Sequence, residues 1–189
     1  MVIFSLTPLL VLFCSSVCSQ NNHVLEAFMD DDIFEALSLT PQNTLGTLSI
    51  YFDFFVESGT EYSRESTQET PAVDLSPFME YEKKYTLIMA DPDALSRSNP
   101  VFRSYLHWIV SDLSFQNSDL RNGDVPYVGP GPPKGTGLHR YIFLLFEQTC
   151  FVDLGGFSNE NRKSFNVGEF ASGNNMKLIA GNYFLAQNK

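Results

Sequence analysis

Apolar side chains fall in short runs along this chain, each ended by polar, Pro or Gly residues. Tyr85 to Ala90 (YTLIMA) is almost wholly apolar and stops against Asp91-Pro92, a pattern that suits a strand buried on both faces. Tyr105 to Val110 (YLHWIV) and Arg140 to Glu147 (RYIFLLFE) read as further strands. So does Leu45 to Val56 (LGTLSIYFDFFV), which is dense in aromatic and β-branched residues. Val24 to Leu37 mixes apolar residues with Asp30–Asp32 and Glu35, as in a short helix or an irregular lead-in, and Lys163 to Ala171 predicts one helix. Gly59 to Glu69 is a polar surface loop. Gly123 to Gly137 holds four Pro and five Gly and must be loop as well. Short strands separated by such turns predict a mainly β sandwich with peripheral helices, in a single domain over residues 24–187.

The first nineteen residues are of another kind. From Met1 to Val17 there is no charged side chain, and Thr7, Pro8 and Ser15-Ser16 interrupt the apolar run too early for a comfortable bilayer span. Small residues at Val17 and Ser19 place a cleavage site at Ser19/Gln20. Residues 1–19 are therefore expected to be a secretory signal peptide, and the chain to be secreted without membrane insertion. An uncleaved anchor or a misassigned start is the alternative, since no Lys or Arg precedes the apolar run.

Composition narrows the classes further. Of 189 residues, 43% are hydrophobic and 18% charged, which supports a real core. The 17 Phe and 8 Tyr favour strands. A net charge of −10 argues against nucleic acid, which needs a basic face, and against docking on an anionic membrane. Cleavage would remove Cys14 and Cys18 and leave Cys150 alone. No internal disulfide could then form, and Cys150, just past an apolar strand, is expected to be buried or at a sheet edge. No glycosylation sequon occurs.

The chemistry concentrates in three places. Asp91-Pro92-Asp93 closes a strand, and the proline fixes the backbone between two carboxylates. On its own this reads equally as a turn in which Asp side chains cap backbone N–H groups. His107 sits in an alternating strand and could be a satisfied core histidine. Gly129 to Gly137 (GPGPPKGTG) is stiff at its prolines and open at its glycines, so backbone N–H groups can approach a ligand there, and it feeds straight into His139. The order Lys134-Gly135-Thr136, with no helix after it, rules out a nucleotide P-loop.

Asp91-Pro92-Asp93-Ala94 with Ser96-Arg97, then His107, then Gly131-Pro132-Pro133-Lys134-Gly135-Thr136-Gly137-Leu138-His139-Arg140-Tyr141, resembles the phosphatidylethanolamine-binding protein family, in order from about Leu25 onward. The resemblance implies an antiparallel β-sandwich whose cavity accepts phosphate-like groups, a phospholipid head group among them. The lining it implies is Asp91, Pro92, Asp93, His107, Gly131, Pro132, His139 and Tyr141. It also implies partners of two kinds, a small phosphate-like anion or an extracellular protease, with no cofactor and no metal. Three departures stand out: Leu95 for a proline usual after Asp-Pro-Asp-Ala, Phe102 for a common tyrosine, and an end at Lys189 where many animal relatives continue into a helix that helps cover the pocket. The last implies a more open cavity.

Two carboxylates would repel an anion unless the imidazoles, the Tyr141 hydroxyl and loop N–H groups offset them. Either imidazole can protonate beside a carboxylate, and a carboxylate could hold the ammonium of a zwitterionic head group. Asp91 and Asp93, two apart, would point to one face of a regular strand. No Ser or Cys stands in a nucleophile elbow, and no compact ligand spacing supports a two-His, one-carboxylate metal site. The chain is thus expected to bind and not to catalyse.

Overall fold

The computed structural model describes residues 23–121 and 123–189. The expected signal peptide and its two cysteines lie outside the described residues. Among those described, no helix is long and apolar enough to cross a membrane.

Residues 23–30 form helix α1 and Ile33–Ala36 form α2. Strands β1 (Gly46–Thr47), β2 (Ser49–Tyr51), β3 (Ala72–Asp74), β4 (Lys84–Asp91), β5 (Tyr105–Ser114) and β6 (His139–Gln148) follow. Helix α3 (Val167–Gly173) and strand β7 (Lys177–Ala186) complete the described fold. Five strands make one sheet in the order β1-β7-β6-β4-β5, while β2 and β3 pair separately. Every pairing is antiparallel except β1 with β7, which run parallel. The mainly β architecture is as expected, with that one departure from antiparallel order.

The large sheet is buried on both faces, and its sequence shows why. Along β6, Tyr141, Phe143 and Leu145 enter one core, and Ile142, Leu144 and Phe146 enter the other. The first core is completed by Leu48, Ile50, Phe52 and Leu75 from the small sheet and its flanks. The second is completed by Phe28, Phe34, Phe165 and Phe170 from the helical layer and the loop before α3. Each such side chain contributes about 1.5–3 kcal/mol on burial, so runs apolar at every position serve two layers at once. The expected strand over Leu45 to Val56 is broken instead, because Gly46–Thr47 pairs with β7 and Ser49–Tyr51 turns away to β3. The helix expected from Lys163 starts only at Val167, where the Asn166 side chain accepts from the Glu169 N–H at 3.1 Å. Cys150 is a further correction: its residue is exposed, in the turn after β6, where nothing covers it as the strands are covered.

Antiparallel order brings the end of β4 beside the starts of β5 and β6. Asp91 pairs with Tyr105, and His139 and Tyr141 pair with Ala186 and Phe184 of β7. The chemically distinctive residues therefore meet at one end of the sheet, on the face that carries the small sheet.

Candidate functional site

A cavity of about 320 Å³ opens at that end. Asp91, His107, His139 and Tyr141 border it from the strands, and Gly131 and Pro132 from the Gly-Pro loop. His107 arrives there through a β-bulge: Met89 pairs with Trp108 and Ala90 with Leu106, so His107 is the extra residue without a partner on β4. A bulge re-aims a side chain, and here it turns the imidazole against Tyr141, edge to face with centroids 5.2 Å apart.

Hydrogen bonds fix what each group can offer. His107 Nδ1–H donates to the Val128 carbonyl at 2.6 Å, which leaves Nε2 as an acceptor. Burial lowers the pKa of His107, and outweighs Asp91, which acts to raise it. The expectation that either imidazole can protonate is corrected for this one, because desolvation disfavours its charge. His139 is tied at both nitrogens. Nε2 is hydrogen-bonded to the Thr136 hydroxyl at 3.0 Å, and that hydroxyl also lies 2.8 Å from the Pro133 carbonyl. Nδ1 lies 2.8 Å from Asp91 Oδ2. The other Asp91 oxygen accepts from the Asp93 N–H at 2.7 Å. Asp91 therefore orients His139 and caps its own turn.

Asp93 and Pro92 do not border the cavity. The strand ends at Asp91, so the two carboxylates part company instead of sharing a face. Asp93 is wholly buried and takes Arg140 in a two-pronged ion pair, Nη2 to Oδ1 at 2.6 Å and Nε to Oδ2 at 2.8 Å, with the Arg140 backbone N–H at 2.9 Å. The Arg140 guanidinium also donates to the Asp31 carbonyl, which ties the site's back wall to the corner between α1 and α2. With Asp93 spent on Arg140 and both Asp91 oxygens engaged, neither carboxylate is free to hold a ligand ammonium.

Tyr141 stands apart. Its ring stacks on Phe184 at 5.4 Å; its hydroxyl is buried, the Gly131 backbone N–H approaches its oxygen, and no acceptor among the described residues takes its hydrogen. Burial, then the carboxylates of Asp91 and Asp93, raises the pKa of the hydroxyl above that of a free tyrosine, so it remains an O–H donor. A buried donor left unpaired costs about 1–3 kcal/mol.

The rim is made by residues that the sequence flagged only in part. Leu95 and Phe102, noted as departures, border the cavity with Ala94, Tyr105, Val128 and Pro133, and Lys163 joins them. Nothing in the sequence pointed to Lys163, which lies far along the chain in a stretch that reads as helix. Arg162 beside it was missed too. It is buried, and its guanidinium holds the carbonyls of Leu106, His107 and Pro126 at 2.8–3.2 Å. Among the described residues no three His, Cys, Asp or Glu side chains come together as a metal site.

Comparison with known proteins identifies the family. The family model for phosphatidylethanolamine-binding protein matches residues 46–184. An uncharacterized Saccharomyces cerevisiae protein, YLR179C, is 33% identical over 168 residues, 76% of this chain and 83% of its own length. The carboxypeptidase Y inhibitor of the same yeast is 34% identical over 131 residues, 56% of this chain and 60% of the inhibitor. The crystal structure of carboxypeptidase Y inhibitor complexed with its cognate proteinase superposes with a TM-score of 0.77 at 26% identity, covering 93% of this chain and all of that one. The family-model match over residues 46–184 and the identity to the yeast protein YLR179C place the chain in the phosphatidylethanolamine-binding protein family.

Proposed function

We propose that this chain is a secreted binding protein, not an enzyme, whose cavity receives the phosphoryl group of a small phosphate ester or phospholipid head group. The observation that carries the reading is the buried, protonated Tyr141 hydroxyl at the cavity, whose hydrogen meets no acceptor among the described residues. A phosphoryl oxygen would accept from it. A protonated phosphoryl oxygen, or a ligand hydroxyl, would donate to His107 Nε2. Beside Gly131 the space is open, so the loop backbone can approach closely. Pro132 walls the same side, while Asp91 acts through His139, and Pro92 and Asp93 hold the turn behind them. Arg162, behind His107, is a buried guanidinium whose side-chain partners among the described residues are carbonyls and the Asn159 amide oxygen, with no carboxylate in direct contact.

Calorimetric titration with O-phosphoethanolamine and with inorganic phosphate tests this. The wild type should bind at least the ester. Tyr141→Phe should weaken binding about tenfold or more, the worth of a hydrogen bond to a charged group, while leaving stability equal or slightly higher. Absence of binding at millimolar ligand, or unchanged affinity in the variant, would overturn the reading. A second reading, regulation of a protease, draws on the likeness to carboxypeptidase Y inhibitor. Stoichiometric inhibition of a carboxypeptidase by the wild type would support it, and a flat response would remove it.

A further inference from the structure

The rim holds a cation that the pocket chemistry above leaves unused. Lys163 borders the cavity, and its ammonium lies 4.3 Å from the centre of the Phe102 ring. No carboxylate pairs with it among the described residues. Its backbone is held on both sides: Leu106 N–H donates to Arg162 O at 2.8 Å, Ser164 N–H to Phe102 O at 3.3 Å, and Ser104 and Phe165 exchange bonds of 3.2 and 2.8 Å. Arg162 anchors the same segment through five side-chain bonds. The lysine thus rises from a fixed base, and the aromatic face beneath it restrains a side chain that would otherwise sweep freely. Phe102 contributes no hydroxyl, but its ring supplies the seat.

We infer that Lys163 is a specificity-determining residue, and that the favoured ligand carries a second negative group next to its phosphoryl group, so that one anion meets Tyr141 and the other meets Lys163 at the mouth. This rests on the phosphoryl reading and deepens it. The floor has no free carboxylate for an ammonium, while the rim offers an unpaired ammonium for an anion, so an anionic ligand fits better than a zwitterionic one.

O-phosphoserine and O-phosphoethanolamine differ by one carboxylate and share the rest, which makes them the probes. At low ionic strength the wild type should bind O-phosphoserine about threefold to fivefold more tightly, the range of a solvent-exposed ion pair. Lys163→Met, which keeps the apolar stem over Phe102, should bind both alike. Lys163→Arg should keep the preference, and added salt should shrink it in the wild type, as a purely steric role would not. Tyr141→Phe should weaken both probes together and leave their ratio intact. Equal binding of the probes by the wild type, or a preference that survives in Lys163→Met, would overturn the role of Lys163 alone. Failure of both probes to bind would overturn the phosphoryl reading and this inference with it.

Discussion

At His107, burial and a nearby carboxylate pull in opposite directions, and burial wins. The folded pKa is below the ordinary value of about 6.5, so the unfolded chain takes up a proton at a pH where the folded one still refuses it. The associated stability is therefore fully present above about pH 6.5 and is lost as pH falls from there through the lowered folded value. His107→Asn keeps a donor for the Val128 carbonyl and removes the titration. Its denaturation midpoint should fall less between pH 7.5 and pH 5.5 than that of the wild type, as measured in urea. At this scale the sequence singled out side chains that the fold brings together only in part. Asp91, His107, His139 and Tyr141 do meet, but Asp93 turns inward to Arg140. Only the end of β4 at Asp91 decides that, and a two-residue spacing cannot reveal where a strand stops. The bulge at His107 is equally silent, because the extra residue shows only against the partner strand.

At the scale of elements, runs apolar at every position were legible as strands, and interrupted runs were not. Strand β7 went unread because Gly181 and Asn182 sit in its middle, residue types that strands avoid. Both serve neighbours: a Cβ on Gly181 would come within 2.7 Å of the Phe28 ring, and the Asn182 amide donates to the Leu48 carbonyl at 2.8 Å. Helix α3 is held equally closely. Gly168 N–H donates to the Leu37 carbonyl at 3.0 Å, and a Cβ on Gly168 would collide with the carbonyl of Ser38. Backbone cannot step aside as a flexible side chain can. Gly168→Ala should therefore destabilise the fold by about 1–3 kcal/mol, the usual penalty of overpacking, while the cavity, at the far end of the sheet, keeps its ligand affinity. Thermal unfolding and titration of the same variant check both halves. Equal stability would mean that the contact between α3 and the chain after α2 is looser than it looks.

For the whole molecule, a net charge of −10 sets the background against which a few cations act. Lys163 stands at the cavity rim, with Arg162 on the carbonyls behind it, while other basic residues such as Lys83, Lys84 and Arg121 are paired with nearby carboxylates. The leader proposed for residues 1–19 also acts at this scale, since secretion decides which ligands and proteases the protein would meet. N-terminal sequencing of protein recovered from the medium of expressing cells should begin at Gln20. A chain retained in the cells and starting at Met1 would count against secretion.

Strand β7 carries the chain back to the loop that walls the cavity. There the Asn188 carbonyl accepts from the Gly135 N–H at 2.9 Å, and its side chain reaches the Pro132 carbonyl at 3.4 Å. A dye attached at position 189 would ride one residue from that clasp, a built-in readout of whether the wall shifts when the cavity fills. For the same reason an affinity tag is better kept away from this end.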